Sequence, residues 1–142
     1  MGEGCAFCEI IEGKSKTNVV FEDTYALAFL DQRPVFHGHC LLVPKQHFET
    51  IMDTPDSMEG PLFKDVKLLS KAIKLAMKAD GILIISNNLI SQSVPHLHIH
   101  IIPRRKGEIL KGFMWPRHPY ESEEQMEKIA ESIKKEAEKL KQ

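Results

Sequence analysis

Long hydrophobic runs are missing from this chain of 142 residues, although 42% of the residues are hydrophobic. No stretch approaches the roughly 20 apolar residues that span a membrane, and residues 1–8 contain neither a basic residue nor an apolar run. We therefore expect no secretion signal, no membrane partner and a cytoplasmic location. An excess of one charge is also missing, because 19 basic residues balance 20 acidic ones. That balance removes the usual electrostatic basis for binding a nucleic acid.

Cysteine and aromatic residues are scarce as well. The chain has three cysteines, and an odd number without a secretion signal argues against a fold held together by disulfides. It has one Trp and two Tyr but seven His. Because imidazole titrates near neutral pH and ligates metals, the histidine content is the first indication of chemistry.

Short runs of β-forming residues alternate with two helical patterns. From Leu62, apolar residues recur in steps of four and three as far as Ala76, which predicts one face of an α-helix that ends near Gly81. A second helical stripe lies in residues 121–142. The predicted strands are residues 19–21, 25–30, 40–43, 82–85 and 94–102.

Three histidines alternate with apolar residues in the last of these strands. Successive side chains of a strand point to opposite faces, so His96, His98 and His100 are expected on one face. One buried histidine is commonly a hydrogen-bonded core residue, but three at a period of two would each need partners for their ring nitrogens. The pattern predicts a functional cleft and leaves two interpretations open: a metal site with three histidine ligands, or a histidine that acts as a nucleophile.

The segment before the histidines favours the nucleophile. Residues 87–93 offer hydroxyl and amide groups, and no carboxylate occurs between Asp80 and Glu108. A metal site that activates water normally has a carboxylate nearby, whereas neutral donors suit a phosphate oxyanion. A neutral imidazole is a competent nucleophile at phosphorus when its other nitrogen is held in one tautomer.

The stretch His-Leu-His-Ile-His-Ile-Ile at residues 96–102 resembles the signature of the histidine triad (HIT) superfamily of nucleotide hydrolases and transferases. Further motifs follow the order of that family: CAFCEII at 5–11, FED at 21–23, AFLD at 28–31, GHCLLVPKQH at 38–47 and QSV at 92–94. The resemblance implies an α+β fold with an antiparallel β-sheet, one long helix and a C-terminal helix, assembled as a homodimer. Residues 1–104 would form the HIT-like domain, and residues 105–142 a C-terminal extension with an amphipathic helix in the same globule.

The resemblance also implies a purine nucleotide substrate and a nucleotidyl-histidine intermediate. His98 would attack the α-phosphorus of a nucleoside 5′-phosphoramidate or a dinucleoside polyphosphate, and water would release the nucleotide; in a phosphorylase or transferase another acceptor replaces water. His96 and His100 would orient the site, while Ser93 and Gln92 would contact the phosphate. The other implied nucleotide-binding residues are Phe7, Ile10 and Phe29 around the base, Asp31 at the ribose, and His39, Asn87 and Asn88.

A Cys-x-x-Cys pair, Cys5 and Cys8, indicates metal binding or redox chemistry in a cytosolic chain. Two thiolates cannot complete a tetrahedral zinc site, so two more ligands would have to come from distant residues. His47 and His96 occupy the positions that complete such a site in some HIT proteins. The resemblance therefore implies a structural Zn²⁺ on Cys5, Cys8, His47 and His96, with two reduced thiols as the alternative. No cofactor would be needed for the chemical step.

One segment departs from the family pattern. Members often carry a loop of the form Asn-Gly-x-x-x-Gly-Gln before the histidines, whereas Asn88-Leu-Ile-Ser-Gln92 is shorter and has no glycine. Either Asn87 or Asn88 can take the phosphate-side position. Two other function classes also stay open: a zinc-stabilised module that binds nucleotides without turning them over, and a metallohydrolase with the three histidines as ligands.

Overall fold

A computed structural model describes residues 4–108 and 117–141. The helices and strands, in chain order, are α1 (Ala6–Ile11), β1 (Val19–Glu22), β2 (Ala26–Leu30), β3 (Cys40–Pro44), α2 (Glu59–Ala76), β4 (Gly81–Ile85), β5 (Ile99–Arg104) and α3 (Glu123–Leu140). The chain divides into two compact units, Met1–Glu108 and Ile109–Gln142. Residues 109–116 of the predicted extension lie outside the described residues. Among the helices that are described, none has the length and hydropathy to cross a membrane.

Within the described residues, five strands form one sheet in the order β1-β2-β3-β5-β4, and every neighbouring pair is antiparallel. The predicted α+β class with an antiparallel sheet is therefore confirmed. The pairing of β3 with β5 sets Leu41 opposite His100. The last histidine of the triad consequently lies inside the sheet, where strands on both sides hold its backbone.

Helix α2 covers one face of the sheet with the predicted apolar stripe. Leu62, Val66, Leu69 and Ile73 are buried in one cluster with side chains of β2, β3 and β5. The stripe ends one turn earlier than predicted, because Ala76 is exposed. Met77 and Lys78 directly follow the helix, and the Arg105 guanidinium donates to their carbonyls. These hydrogen bonds satisfy acceptors that are left open at a helix C-terminus.

Helix α1 lies against the opposite face and was missed by the sequence patterns, since six residues are too few to display a helical period. Its N-cap is Cys5, whose Sγ accepts the Cys8 N–H at 3.4 Å. Phe7 and Cys8 are buried in a second cluster that includes Phe29 and Leu41. This helix brings the cysteine pair and the Phe7 ring to the sheet face on which His98 and His100 lie.

Strand β5 begins at Ile99 rather than at Val94, so the predicted boundary is wrong by five residues. Pro95 precedes the strand, and the His96 N–H donates to the Val94 carbonyl at 2.8 Å in a tight turn. The turn bends the backbone and removes His96 from the regular alternation. Only His100 of the three histidines lies within a strand.

Helix α3 in the second unit confirms the helix predicted from the apolar stripe in residues 121–142. The Ser122 hydroxyl caps it by accepting the Gln125 N–H at 3.1 Å. Met126, Ile129 and Ile133 of the stripe are exposed. That this helix belongs to one globule with residues 1–104 stays a prediction.

A buried carboxyl group joins α2 to the β1–β2 turn. Asp65 is 3% exposed, and its Oδ2 has no hydrogen-bond partner among the described residues. Burial and the neighbouring Asp23 carboxyl raise the pKa of Asp65 to about 7, against a smaller opposing effect of Lys64. Asp23 itself accepts the backbone N–H groups of Tyr25 and Ala26, both at 2.8 Å. Asp65 is therefore protonated in the folded protein over a pH range in which the unfolded chain has already lost that proton.

We expect Asp65→Asn to stabilise the protein at pH 8 but not at pH 4. The raised pKa in the folded state makes the free energy of unfolding fall as pH rises from about 4 to 7, because the unfolded chain loses the Asp65 proton in this range while the folded protein keeps it. At pH 8, the free energy of unfolding measured in urea should be about 1–2 kcal/mol higher for the variant than for the wild type. The exposed Asp56→Asn serves as the control. Parallel pH profiles for wild type and Asp65→Asn would contradict the raised pKa.

Candidate active site

A cavity of about 500 Å³ opens on the sheet face that carries α1. It is lined by seven residues that the sequence analysis named: Phe7, Ile10, Phe29, Asp31, Ser93, His98 and His100. Phe7 packs edge-on against Phe29 and against the His98 ring, with centroid separations of 5.5 and 5.0 Å. The cavity thus combines an apolar wall with an imidazole, a hydroxyl and a carboxylate.

The tautomer of His98 is fixed by its own backbone. Its Nδ1 lies 2.8 Å from the carbonyl oxygen of His96, and because a carbonyl can only accept, the proton is on Nδ1. Nε2 therefore keeps its lone pair. The side chain is 3% exposed, which holds the ring in one orientation. This is the arrangement that a nucleophilic imidazole requires.

His39 fixes the tautomer of His100 in turn. The Val35 N–H donates to Nδ1 of His39 at 3.1 Å, so His39 carries its proton on Nε2. That Nε2 lies 2.9 Å from Nδ1 of His100 and 3.5 Å from a carboxylate oxygen of Asp31. His100 accepts on Nδ1 and is left with an N–H at Nε2, a donor suited to a phosphate oxygen.

The imidazole rings of His39 and His100 are both neutral at pH 7. Burial, with the rings of His98 and His39 nearby, lowers the pKa of His100 to about 4. Burial also lowers the pKa of His39, although Asp31 opposes that shift. Ligand atoms of Asp31, His39 and His100 lie close enough to surround an ion. A metal there would have to displace the Nε2 proton of His39, which the Val35 N–H keeps in place.

The side chains of four residues that could ligate a metal converge at the N-terminal end of α1: Cys5, Cys8, His47 and His96. Nδ1 of His96 lies 3.5 Å from the sulfur of Cys5, 3.6 Å from the sulfur of Cys8 and 3.1 Å from Nδ1 of His47, and the Cys8 sulfur is 3.2 Å from Nδ1 of His47. Nε2 of His96 donates to the Pro44 carbonyl at 2.9 Å, which leaves Nδ1 to act as a ligand. Burial lowers the pKa of His96 and favours the neutral ring that binds metals. This cluster could hold a metal ion.

Two amide side chains before the triad, those of Asn88 and Gln92, form hydrogen bonds to residues that do not line the cavity. Gln92 accepts the Leu89 N–H at 2.9 Å and donates to the Glu49 carbonyl, while Asn88 accepts the Ile51 N–H at 2.8 Å. Asn87, Asn88 and Gln92 are not among the described residues that line the cavity. Of the predicted phosphate contacts in this segment, Ser93 alone lines it.

Several lining residues escaped the sequence analysis. Gln32 and Arg33 follow Asp31 directly, and their place beside a predicted ribose ligand was a usable signal. Ser15 and Thr17 line the cavity from the segment after α1, for which no motif gave a hint. Arg33 is the one permanently charged cation among the described lining residues.

The chain is similar to proteins of one family. The family model described as "HIT domain" matches residues 12–107. An adenylylsulfatase from Arabidopsis thaliana is 40% identical over 75% of this chain, which spans only 55% of that protein. An adenosine 5′-monophosphoramidase from Saccharomyces cerevisiae is 35% identical over 79% of this chain and 70% of its own length.

Solved structures of HIT proteins are similar to this chain over most of its length. A HIT family protein from Bacillus subtilis superposes with a TM-score of 0.86 at 36% identity, covering 94% of this chain and 96% of its own. A zinc-bound histidine triad protein from Mycobacterium smegmatis gives a TM-score of 0.71 at 32% identity, covering 86% and 88%. With the triad, the cavity and the match over residues 12–107 taken together, the chain belongs to the HIT family of nucleotide-binding proteins.

Proposed function

We propose that this protein is a nucleotide hydrolase that cleaves the bond between the α-phosphorus and the leaving group of a purine nucleoside 5′-phosphoramidate or a dinucleoside polyphosphate. The observation that carries the proposal is the 2.8 Å contact between Nδ1 of His98 and the His96 carbonyl, which leaves a lone pair on Nε2 of a buried ring. The relative named as a phosphoramidase supports the reaction class.

In the first step, the Nε2 lone pair of His98 forms a bond to the α-phosphorus. The bond from phosphorus to the leaving group breaks, and the leaving group takes that electron pair together with a proton passed from solvent through the Ser93 hydroxyl. The adenylylated ring carries a positive charge, which the His96 carbonyl stabilises through the Nδ1–H hydrogen bond. His100 donates its Nε2–H to a phosphate oxygen.

In the second step, water attacks the phosphorus of the adduct. The bond between nitrogen and phosphorus breaks and returns its electron pair to Nε2 of His98, while water gives up a proton to solvent and the nucleoside monophosphate leaves. Phe7, Ile10 and Phe29 supply the apolar wall for the base, and Asp31 accepts from the ribose hydroxyls. A phosphorylase or transferase would use phosphate or another acceptor in place of water.

The tautomers disfavour a metallohydrolase built on the three histidines. Nδ1 of His98 and Nε2 of His96 are both committed to backbone carbonyls. The remaining nitrogen of His96 faces the cysteine pair rather than the cavity. The three rings would therefore have to rearrange before they shared one ion.

We further propose that Cys5, Cys8, His47 and His96 hold a structural zinc ion. A tetrahedral zinc with bonds of about 2.3 Å to sulfur and about 2.0–2.1 Å to nitrogen separates its ligand atoms by roughly 3.3–3.8 Å. The separations of 3.1–3.6 Å are close to these edges. Bound zinc would fasten α1, and with it Phe7, over the cavity.

The homodimer implied by the family resemblance also remains a proposal. Strand β4 lies at the edge of the sheet, with β5 as its neighbour on one side. Ile84 on that strand is half exposed. Among the described strands this edge is unpaired, and an unpaired edge that carries an exposed apolar side chain suits pairing with a second copy.

The test is turnover of adenosine 5′-phosphoramidate, diadenosine tetraphosphate and adenosine 5′-phosphosulfate by the purified protein. We expect the phosphoramidate or the dinucleoside tetraphosphate to be hydrolysed fastest. The phosphosulfate tests the activity for which the Arabidopsis relative is named. Activity should persist in a chelator at concentrations where circular dichroism reports an intact fold.

Two outcomes would contradict the proposal. If none of the three substrates turns over while AMP still binds, the chain is a nucleotide-binding module. If activity disappears in the chelator while the fold is intact, a metal takes part in the chemical step. Faster release of nucleotide in the presence of phosphate would identify the phosphorylase variant of the same mechanism.

A further inference from the structure

The segment between β4 and the triad carries backbone strain. Leu89 has a φ of 74° and Ser91 a φ of 59°, and neither is a glycine. Residues other than glycine rarely adopt this left-handed backbone conformation, so it costs free energy that other contacts must offset. The family pattern places glycines in this segment, whereas this chain has none between Asn87 and Ser93.

The contacts that offset the strain come from two amide side chains. Gln92 accepts the Leu89 N–H through its oxygen and donates through its nitrogen to the Glu49 carbonyl. Asn88 accepts the Ile51 N–H at 2.8 Å, and its nitrogen lies 3.4 Å from the Ser86 carbonyl. Both amides therefore use donor and acceptor to tie the loop to residues 49–51 or to close it on itself.

Residues 49–51 are themselves held firmly. The Thr50 hydroxyl and N–H both donate to the Asp53 carboxylate, at 2.8 and 3.0 Å, and Thr50 is 3% exposed. The Phe48 carbonyl just before them accepts the Leu97 N–H. The loop is thus anchored on a segment that has its own hydrogen bonds. Ser93, which lines the cavity with His98 and His100, directly follows the anchoring Gln92.

We propose that Gln92 is a positioning residue in this protein: it braces the strained loop against Glu49 and so places the Ser93 hydroxyl at the reacting phosphate. Gln92 acts through Ser93 and does not itself contact the phosphate, in contrast to what the family resemblance implies. This inference rests on the proposed hydrolase function for its kinetic consequences. The brace itself is a property of the free protein.

The kinetic test uses Gln92→Ala and the double variant Gln92→Ala/Leu89→Gly. Gln92→Ala should lower kcat for the best substrate by about 10–100-fold, because small displacements of reacting groups have effects of that size, with AMP affinity changed less than about twofold. Leu89→Gly should restore much of that loss, since glycine adopts the left-handed φ without a brace. Ile90→Ala, an exposed change in the same loop, is the matched control.

The structural test is amide hydrogen exchange of the free protein. Loss of the brace should speed exchange at Leu89 by about tenfold, as expected for one lost hydrogen bond, while Ile90→Ala leaves it unchanged. Weaker AMP binding by Gln92→Ala with unchanged exchange, or no rescue by Leu89→Gly, would overturn the proposal and make Gln92 a phosphate ligand. If the wild type turns over no nucleotide, the hydrolase proposal fails. The rate of amide exchange at Leu89 and the affinity for AMP then still show whether Gln92 braces the loop.

Discussion

Replacement of His98 by Ala should lower kcat for the best substrate by about 10⁴-fold or more, the effect of removing a nucleophile elsewhere. The ring supplies the atom that bonds to phosphorus, and no other imidazole in the cavity has its lone pair placed in the same way. His100 accepts from His39 on Nδ1 and keeps its proton on Nε2. Steady-state rates and AMP affinity should be measured together, because a nucleophile contributes little to ground-state binding.

His37→Ala is the control for the loss of an imidazole elsewhere. His37 is exposed in the loop before His39 and does not line the cavity that holds His98. The control variant should keep wild-type rates. If His98→Ala retains more than about a tenth of the activity, His98 is not the nucleophile.

The second large effect is expected from the metal cluster. Cys8→Ser removes one of four converging ligands and should abolish stoichiometric zinc, measured by elemental analysis of the dialysed protein. A ligand present at about 1,000 times its Kd stabilises a fold by about 4 kcal/mol. For a chain of this size that corresponds to a decrease in Tm of about 10 °C or more. A chelator should lower the Tm of the wild type and leave that of the variant unchanged.

Cys40→Ala provides the matched control, because it removes a buried thiol that is not part of the cluster. Burial raises the pKa of the Cys40 thiol to about 11, and its S–H donates to the Gly38 carbonyl. This variant should keep its zinc and its response to the chelator. A wild-type protein that contains no metal and is indifferent to a chelator would leave the cluster as two reduced thiols beside two imidazoles.

The fold was predictable wherever one side-chain period persisted for several turns or residues. The stripe from Leu62 to Ile73 predicted α2 and the face that it buries. Helix α1 is too short to show a period, and its role emerges only from the packing of Phe7 against Phe29 and His98. The start of β5 was misplaced because alternation continues through a tight turn that only the backbone hydrogen bond of His96 reveals.

The candidate site was predictable in its composition but not in its hydrogen bonding. Spacing predicted His96, His98 and His100 on one face; His98 and His100 line the cavity, whereas His96 lies in the tight turn and faces the cysteine pair. The tautomers depend on backbone groups, such as the Val35 N–H on His39, for which a sequence carries no signal. The direction taken by Gln92 was equally hidden, because it depends on how close Glu49 comes after folding.

The proposed mechanism passes through a covalent intermediate on His98, and the stereochemical course at phosphorus distinguishes it from direct attack by water. The substrate is the adenosine 5′-phosphoramidate with a sulfur in place of one α-phosphate oxygen, as a single diastereomer, hydrolysed in water labelled with heavy oxygen. Two successive displacements, by Nε2 of His98 and then by water, each invert the phosphorus, so the product should show overall retention of configuration. Inversion would mean a single direct attack by water and would contradict the mechanism.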